Sequence, residues 1–207
     1  MRSRLVQLIG TTGYRVRIST FHAFCSEVLA AHPEYFPLAR GSEALSDLER
    51  YDFLQQSIVQ LPLKRLRPVG DPFCFLPDII SAISDLKREG VSVEQLAQLA
   101  AEHVQAARVQ FSEWDSLTAH GTKRVKHAPT KKSVFDGVKE SEKLAELALV
   151  YADFQRQLRE TKRFDFDDMI SLVVEAFAEH EELVVEYQEN LHYFLVDEYQ
   201  DTNSAQD

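Results

Sequence analysis

The sequence predicts a mainly helical domain with two short strands near its ends. Three observations carry that expectation. From about residue 44 to residue 160, apolar residues recur at helical spacing. In Tyr14–Ser19, YRVRIS, the residues Tyr14, Val16 and Ile18 alternate with Arg15 and Arg17, the period of a half-buried strand. Tyr193-Phe194-Leu195-Val196 is a short apolar run bounded by Asp197-Glu198, the pattern of a buried strand. Strands at about 14–19 and 192–197 are expected to lie near each other in parallel, because the connection between them is long enough.

Taken in order, MRSRLVQLI reads as the end of a helix with Leu5, Leu8 and Ile9 on one side, and Gly10-Thr-Thr-Gly13 as a turn. After the first strand, Ser19-Thr20 caps a helix to about Ala31 that buries Phe21, Phe24, Cys25, Val28 and Leu29 on one face. His32-Pro33 ends it, since the residue before proline avoids the helical region. A helix over about 44–60 carries Leu45, Leu48, Tyr51, Leu54 and Ile58. The next, within Phe73–Glu89, starts near Pro77, which a first turn tolerates, and stops at Gly90. Ser92 and Gln95 form a capping box for the helix that follows. Residues 112–137 look least regular. A long helix runs from Lys139 to about Lys162, Asp165 or Asp167 caps one over Met169–His180, and a short helix covers Glu181–Asn190.

Composition narrows the function classes. The 207 residues carry a net charge of -10, which argues against coating nucleic acid by bulk charge but leaves room for a local basic patch. Cys25 and Cys74 are the two cysteines, without metal spacing, as fits a reducing compartment. No apolar stretch approaches the roughly 18 residues of a membrane span, and the N-terminus lacks the apolar core of a signal peptide. The chain reads as cytoplasmic.

Chemistry concentrates at Asp197-Glu198. Adjacent carboxylates at the carboxyl end of a strand suit a magnesium–nucleotide site. Asp197 can hold the metal, directly or through its water, and Glu198 can deprotonate a water attacking a γ-phosphate. A solvated acidic turn is the plainer alternative. No GxxxxGK[ST] phosphate loop occurs in the sequence. Thr20 and the helix-start N–H groups can hold a phosphate, with Phe21 or His22 near a base or sugar; a partly buried histidine near a cap is the alternative. Lys123, Arg124, Lys126, Lys131 and Lys132, with His120 and His127, form the local basic cluster, either a solvated loop or a phosphate-touching arm. The acids Asp165, Asp167 and Asp168 are accounted for by helix capping.

Two segments together resemble a known family. VRISTFHAFC (Val16–Cys25) resembles motif Ib, and FLVDEYQDTNSAQ (Phe194–Gln206) resembles motif II, the Walker B segment, of the UvrD/Rep/PcrA-like superfamily 1 DNA helicases. FDFDDMI (Phe164–Ile170) is similar to the DFDDL segment these helicases carry before motif II. The resemblance implies a RecA-like (P-loop NTPase) domain, 1A, represented by residues 1–30 and 161–207 and its two short strands, with a helical subdomain, 1B, inserted as residues 31–160. It implies ATP and Mg²⁺ as cofactors of a longer parent that translocates 3′–5′ along single-stranded DNA and unwinds duplex. Asp197 and Gln200 then belong to the nucleotide site, Asp197 to the metal and Glu198 to catalysis. Thr20, Phe21 and His22 meet the single strand. The partners implied are DNA and the rest of the helicase, namely the remainder of 1A with 2A and 2B, and no membrane.

By this reading the chain is a middle piece that lacks the Walker A loop and motifs III–VI. It is expected to bind neither cofactor tightly and to be inactive alone, because phosphoryl transfer needs cradle, metal, water and charge stabiliser together. A free-standing helical module that binds DNA or protein without catalysis is the competing expectation. A metal-hydrolase site at Asp197, Glu198 and Asp201 is a third.

Overall fold

A computed structural model describes residues 1–36, 43–119, 130–203 and 206. Among them, eight α-helices dominate: α1 (Arg2–Ile9), α2 (Phe21–Ala31), α3 (Asp47–Gln60), α4 (Leu76–Arg88), α5 (Val93–Ala119), α6 (Lys131–Thr161), α7 (Asp168–Glu179) and α8 (Glu181–Asn190). The mainly helical expectation holds.

The caps at Thr20, Ser92 and Gly90 follow the sequence, whereas α3 begins at Asp47, later than the expected 44, on a cap at Ser46. Thr20 Oγ1 accepts the Ala23 N–H at 3.2 Å, starting α2. Ser46 and Glu49 close a full capping box on α3, and Ser92 with Gln95 does the same for α5. Helix α4 ends on Gly90 at φ +67°, with Val91 N–H on Leu86 O and Gly90 N–H on Lys87 O. That paired pattern satisfies two carbonyls at the helix end and requires the left-handed conformation glycine adopts freely.

The strands differ from expectation. Residues 10–14 form a 3₁₀ turn, and 15–20 continue as turn and unpaired extended chain. Gly13 is buried with its Cα against Val6, where an added Cβ would sit 3.0 Å from the Val6 backbone. Residues 192–196 are likewise unpaired, and the run read as buried is exposed: Tyr193 is 92% accessible and Leu195 99%. Leu8 and Ile9 of α1 also face outward. A strand is held by donors and acceptors on a neighbour, and neither segment has one among the described residues. The parallel pair that does form is β1 (Glu43–Ala44) with β2 (Arg163–Phe164), in register Glu43↔Arg163 and Ala44↔Phe164. Arg163 reinforces it through Glu43 at 2.7 Å and Glu49 at 3.0 Å.

Of residues 112–137, the described parts, 112–119 and 130–137, are more regular than expected. Helix α5 runs through Trp114 to Ala119 and α6 already begins at Lys131. Phe111 packs edge-on against Phe135 at 5.3 Å, so the two helices form an antiparallel hairpin held by aromatic contact.

Two apolar cores result among the described residues. The larger lies among α3, α4, α5 and α6 around Leu54, Ile58, Leu76, Ile83 and Phe154. The smaller joins α2, α7 and α8 through Cys25, Val28, Met169, Ile170, Val173 and Leu183. The segment 164–168 runs between them.

Candidate functional site

The acidic pair lies just after the exposed run. Asp197 Oδ1 accepts the Glu198 N–H at 3.1 Å. Glu198 takes φ +53° and ψ +43°, a left-handed conformation that costs a non-glycine residue about 1 kcal/mol or more. The Gln200 side-chain amide donates to the Glu198 carboxylate. Both carboxylates are solvent-accessible. As hard oxygen donors they fit a magnesium ion, which takes one or two protein carboxylates and completes its shell with phosphate and water. Among the described residues no three metal-binding side chains gather, and the Asp201 side chain lies outside that set.

Phe194 ties this stretch to α2. Its ring meets Phe24 edge-on at 6.5 Å, and Phe24 in turn meets Tyr187 at 5.6 Å and lies under the Arg17 guanidinium. The segments that resemble motifs Ib and II are therefore neighbours, although about 170 residues separate them in the chain.

At the start of α2 the three residues singled out from sequence separate. Thr20 is exposed, with its hydroxyl engaged in the cap. Phe21 packs partly into the smaller core. His22 turns the other way and stacks on Phe166, with ring centroids 4.0 Å apart and planes 8° from parallel. Burial lowers the His22 pKa; Asp167 works against that and Arg88 adds to it. The imidazole is thus favoured neutral, and its Nε2 is buried without a hydrogen-bond partner. Phe166 is 54% accessible, so its ring offers a free aromatic face beside the α2 N-terminus.

Sequence reasoning missed Phe166. The available signal was the alternation Asp165-Phe166-Asp167, which sends a lone aromatic to the side opposite its acidic neighbours. The capping reading of those acids needs correction. Asp167 occupies the position before α7 but makes no capping bond. Asp165 is buried, 3.1 Å from Lys87 Nζ, and Asp168 reaches the same ammonium at 2.8 Å. Arg50 approaches Asp165 and Asp167 at 3.5 and 3.6 Å, and Arg88 approaches Asp167 at 3.6 Å. Buried carboxylates seek cations, and here that need outweighs the local capping preference.

Of the basic cluster, Lys123, Arg124 and Lys126, with His120 and His127, lie outside the described residues, as does the Lys131 side chain. Lys132 is exposed in the first turn of α6. None of the described helices is long and apolar enough to cross a membrane.

The chain spans about a fifth of the length of the curated relatives it matches. The ATP-dependent DNA helicase UvrD1 of Mycobacterium leprae (strain TN) is 28% identical over 211 residues, covering all of this chain and 21% of that protein. The ATP-dependent DNA helicase PcrA of Bacillus subtilis (strain 168) is 27% identical over 207 residues, again all of this chain, and 22% of PcrA. The PcrA of Staphylococcus epidermidis (strain ATCC 12228 / FDA PCI 1200) is 28% identical over 207 residues, with the same coverage. The profile of the UvrD/REP helicase N-terminal domain matches residues 1–207.

Proposed function

The chain belongs to the UvrD/REP helicase N-terminal domain family, and from that premise we propose that it is the part of an ATP-driven 3′–5′ DNA helicase that carries the metal-and-water carboxylates and one face of the single-strand path. Residues 31–160 form the helical 1B subdomain, and residues 1–30 and 161–207 are segments of the RecA-like 1A domain. The observation that carries the reading is the family match over the whole chain, with Asp197-Glu198 and the Thr20–His22 segment joined through Phe194 and Phe24.

The exposed apolar run 193–196 is the kind of surface that a neighbouring strand covers. The rest of 1A, with 2A and 2B, is the partner that would cover it.

Bound magnesium would neutralise charge on the transferring phosphoryl group. Asp197 would hold that metal. Glu198 takes the proton of the attacking water, and Gln200 orients the Glu198 carboxylate through its amide. On the DNA side, the accessible face of Phe166 stacks on a base, backed by neutral His22, and the exposed N–H end of α2 at Thr20 receives a phosphate. Lys132 and the neighbouring basic residues add salt-dependent contacts. The 207 residues hold no phosphate loop, so alone they should release no phosphate from ATP.

Phosphate release by the longer protein, measured with and without single-stranded DNA, tests the coupling. Turnover should rise with DNA. DNA-independent turnover, or none at all, would sink the reading.

A further inference from the structure

The geometry points to Lys87 as a positioning residue that holds the His22–Phe166 platform in place through Asp165 and Asp168; the platform's contact with DNA rests on the function proposed above. Lys87 closes α4 in the helical body, whereas His22 and Phe166 belong to α2 and the 164–168 segment. Its side chain is only 2% exposed, and that of Asp165 only 3%. The ammonium also lies 5.1 Å from the Phe154 ring centroid.

Each carboxylate divides its two oxygens between the cation and the loop backbone. Asp165 Oδ2 meets Lys87, while Asp165 Oδ1 accepts the Phe166 N–H at 2.8 Å. Asp168 Oδ1 meets Lys87 and accepts from Gln155, while Asp168 Oδ2 accepts the Asp165 N–H at 3.0 Å. One ammonium thereby fixes two consecutive peptide groups, including the one that sets the direction of Phe166. Arg50 and Arg88 hold Asp167 from the other side, so three cations balance three acids, and among 165–168 the aromatic residue is the one that is largely exposed.

Stability alone gives little reason for such a cluster. A buried ion pair gains little over well-packed apolar side chains of similar size, whereas it does constrain which groups face which. Here the constrained group is the aromatic face. A shift of α4 would pull on the Phe166 peptide through a two-bond path, which couples the helical body to the platform.

The test uses the 207-residue chain and two readouts, the ring-current shift of the His22 ring protons by NMR and binding of fluorescein-labelled oligothymidylate by anisotropy. Phe166→Ala should abolish the ring-current shift and weaken DNA binding about tenfold, the loss of one stacked base. Lys87→Met should do both as well, while Lys87→Arg, which keeps the cation, should restore both. Lys87→Met leaves Asp165 buried without its main partner, so the pair Lys87→Met with Asp165→Leu removes both charges and keeps the fold measurable. It too should lose the shift and the affinity. If that double variant retains both, or if Lys87→Arg behaves like Lys87→Met, the positioning role is overturned. If Phe166→Ala binds DNA like wild type while the Lys87 variants still lose the shift, the DNA reading fails and the positioning role stands.

Discussion

Replacing Phe154 by alanine examines the helical body at its centre. Phe154 is fully buried on α6 among Leu54, Ile58, Leu76 and Ile83, and its ring lies beneath Lys87. Phenylalanine-to-alanine truncation in a close-packed core costs about 3–5 kcal/mol, from lost burial and the cavity left behind. Loss of the cation–π contact contributes to the same total. With a urea slope of about 2 kcal/mol per molar, the midpoint should fall by about 1.5–2.5 M. Phe154→Leu keeps most of the volume and should cost under about 1.5 kcal/mol. Urea titration followed by circular dichroism at the helical band measures both. A midpoint change below about 0.5 M for Phe154→Ala would refute the placement of this ring at the centre of a packed core.

Other outcomes follow from single residues. Cys25 is buried and its thiol is pushed up to about 11, chiefly by burial, whereas Cys74 is exposed. A thiol-reactive dye at neutral pH should therefore label Cys74 alone in the native chain and both cysteines in denaturant; labelling of Cys25 under native conditions would contradict the α2–α7 packing. His22 has a folded pKa below its unfolded value, mainly through burial. Its contribution to stability is therefore present above the unfolded value near 6.5 and is lost as pH falls through the lowered folded value. Thermal melting between pH 7.5 and pH 5.5 should show a smaller loss for His22→Phe than for wild type; equal losses would place the pH sensitivity elsewhere. In α3, Ser46→Ala removes the hydroxyl of a complete capping box and should cost about 1 kcal/mol in the same urea titration.

Helices were legible because their signals are local. Thr20, Ser92 and Gly90 each act within a few residues, and the structure uses all three as the sequence implies; Ser46, the cap that starts α3 at Asp47 rather than near 44, is found only in the structure. The misread parts depend on distant residues. Tyr14–Ser19 and Tyr193–Val196 have strand composition, but pairing needs a neighbour that local pattern does not supply. The strands that do form are two residues each, too short for alternation to register, and they join positions 120 residues apart. The same distance problem hid the ion cluster. Asp165, Asp167 and Asp168 sit where capping acids belong, and their cations Arg50, Lys87 and Arg88 come from α3 and α4. At the candidate site, Asp197, Glu198 and Gln200 stand out in the sequence through motif resemblance, and their roles are the ones proposed above. Phe166 was hidden because its stacking partner lies on α2, far away in the sequence.

The division of labour between Asp197 and Glu198 is the centre of the functional account. The most direct measurement is magnesium-dependent nucleotide binding and phosphate release, made side by side on the longer protein carrying Glu198→Gln or Asp197→Asn. The account expects Glu198→Gln to bind nucleotide with magnesium as wild type does and to lose turnover by a hundredfold or more, on the order of a missing general base. It expects Asp197→Asn to lose the strengthening of binding by magnesium as well as turnover. Wild-type turnover in Glu198→Gln, or undiminished magnesium dependence in Asp197→Asn, would contradict it.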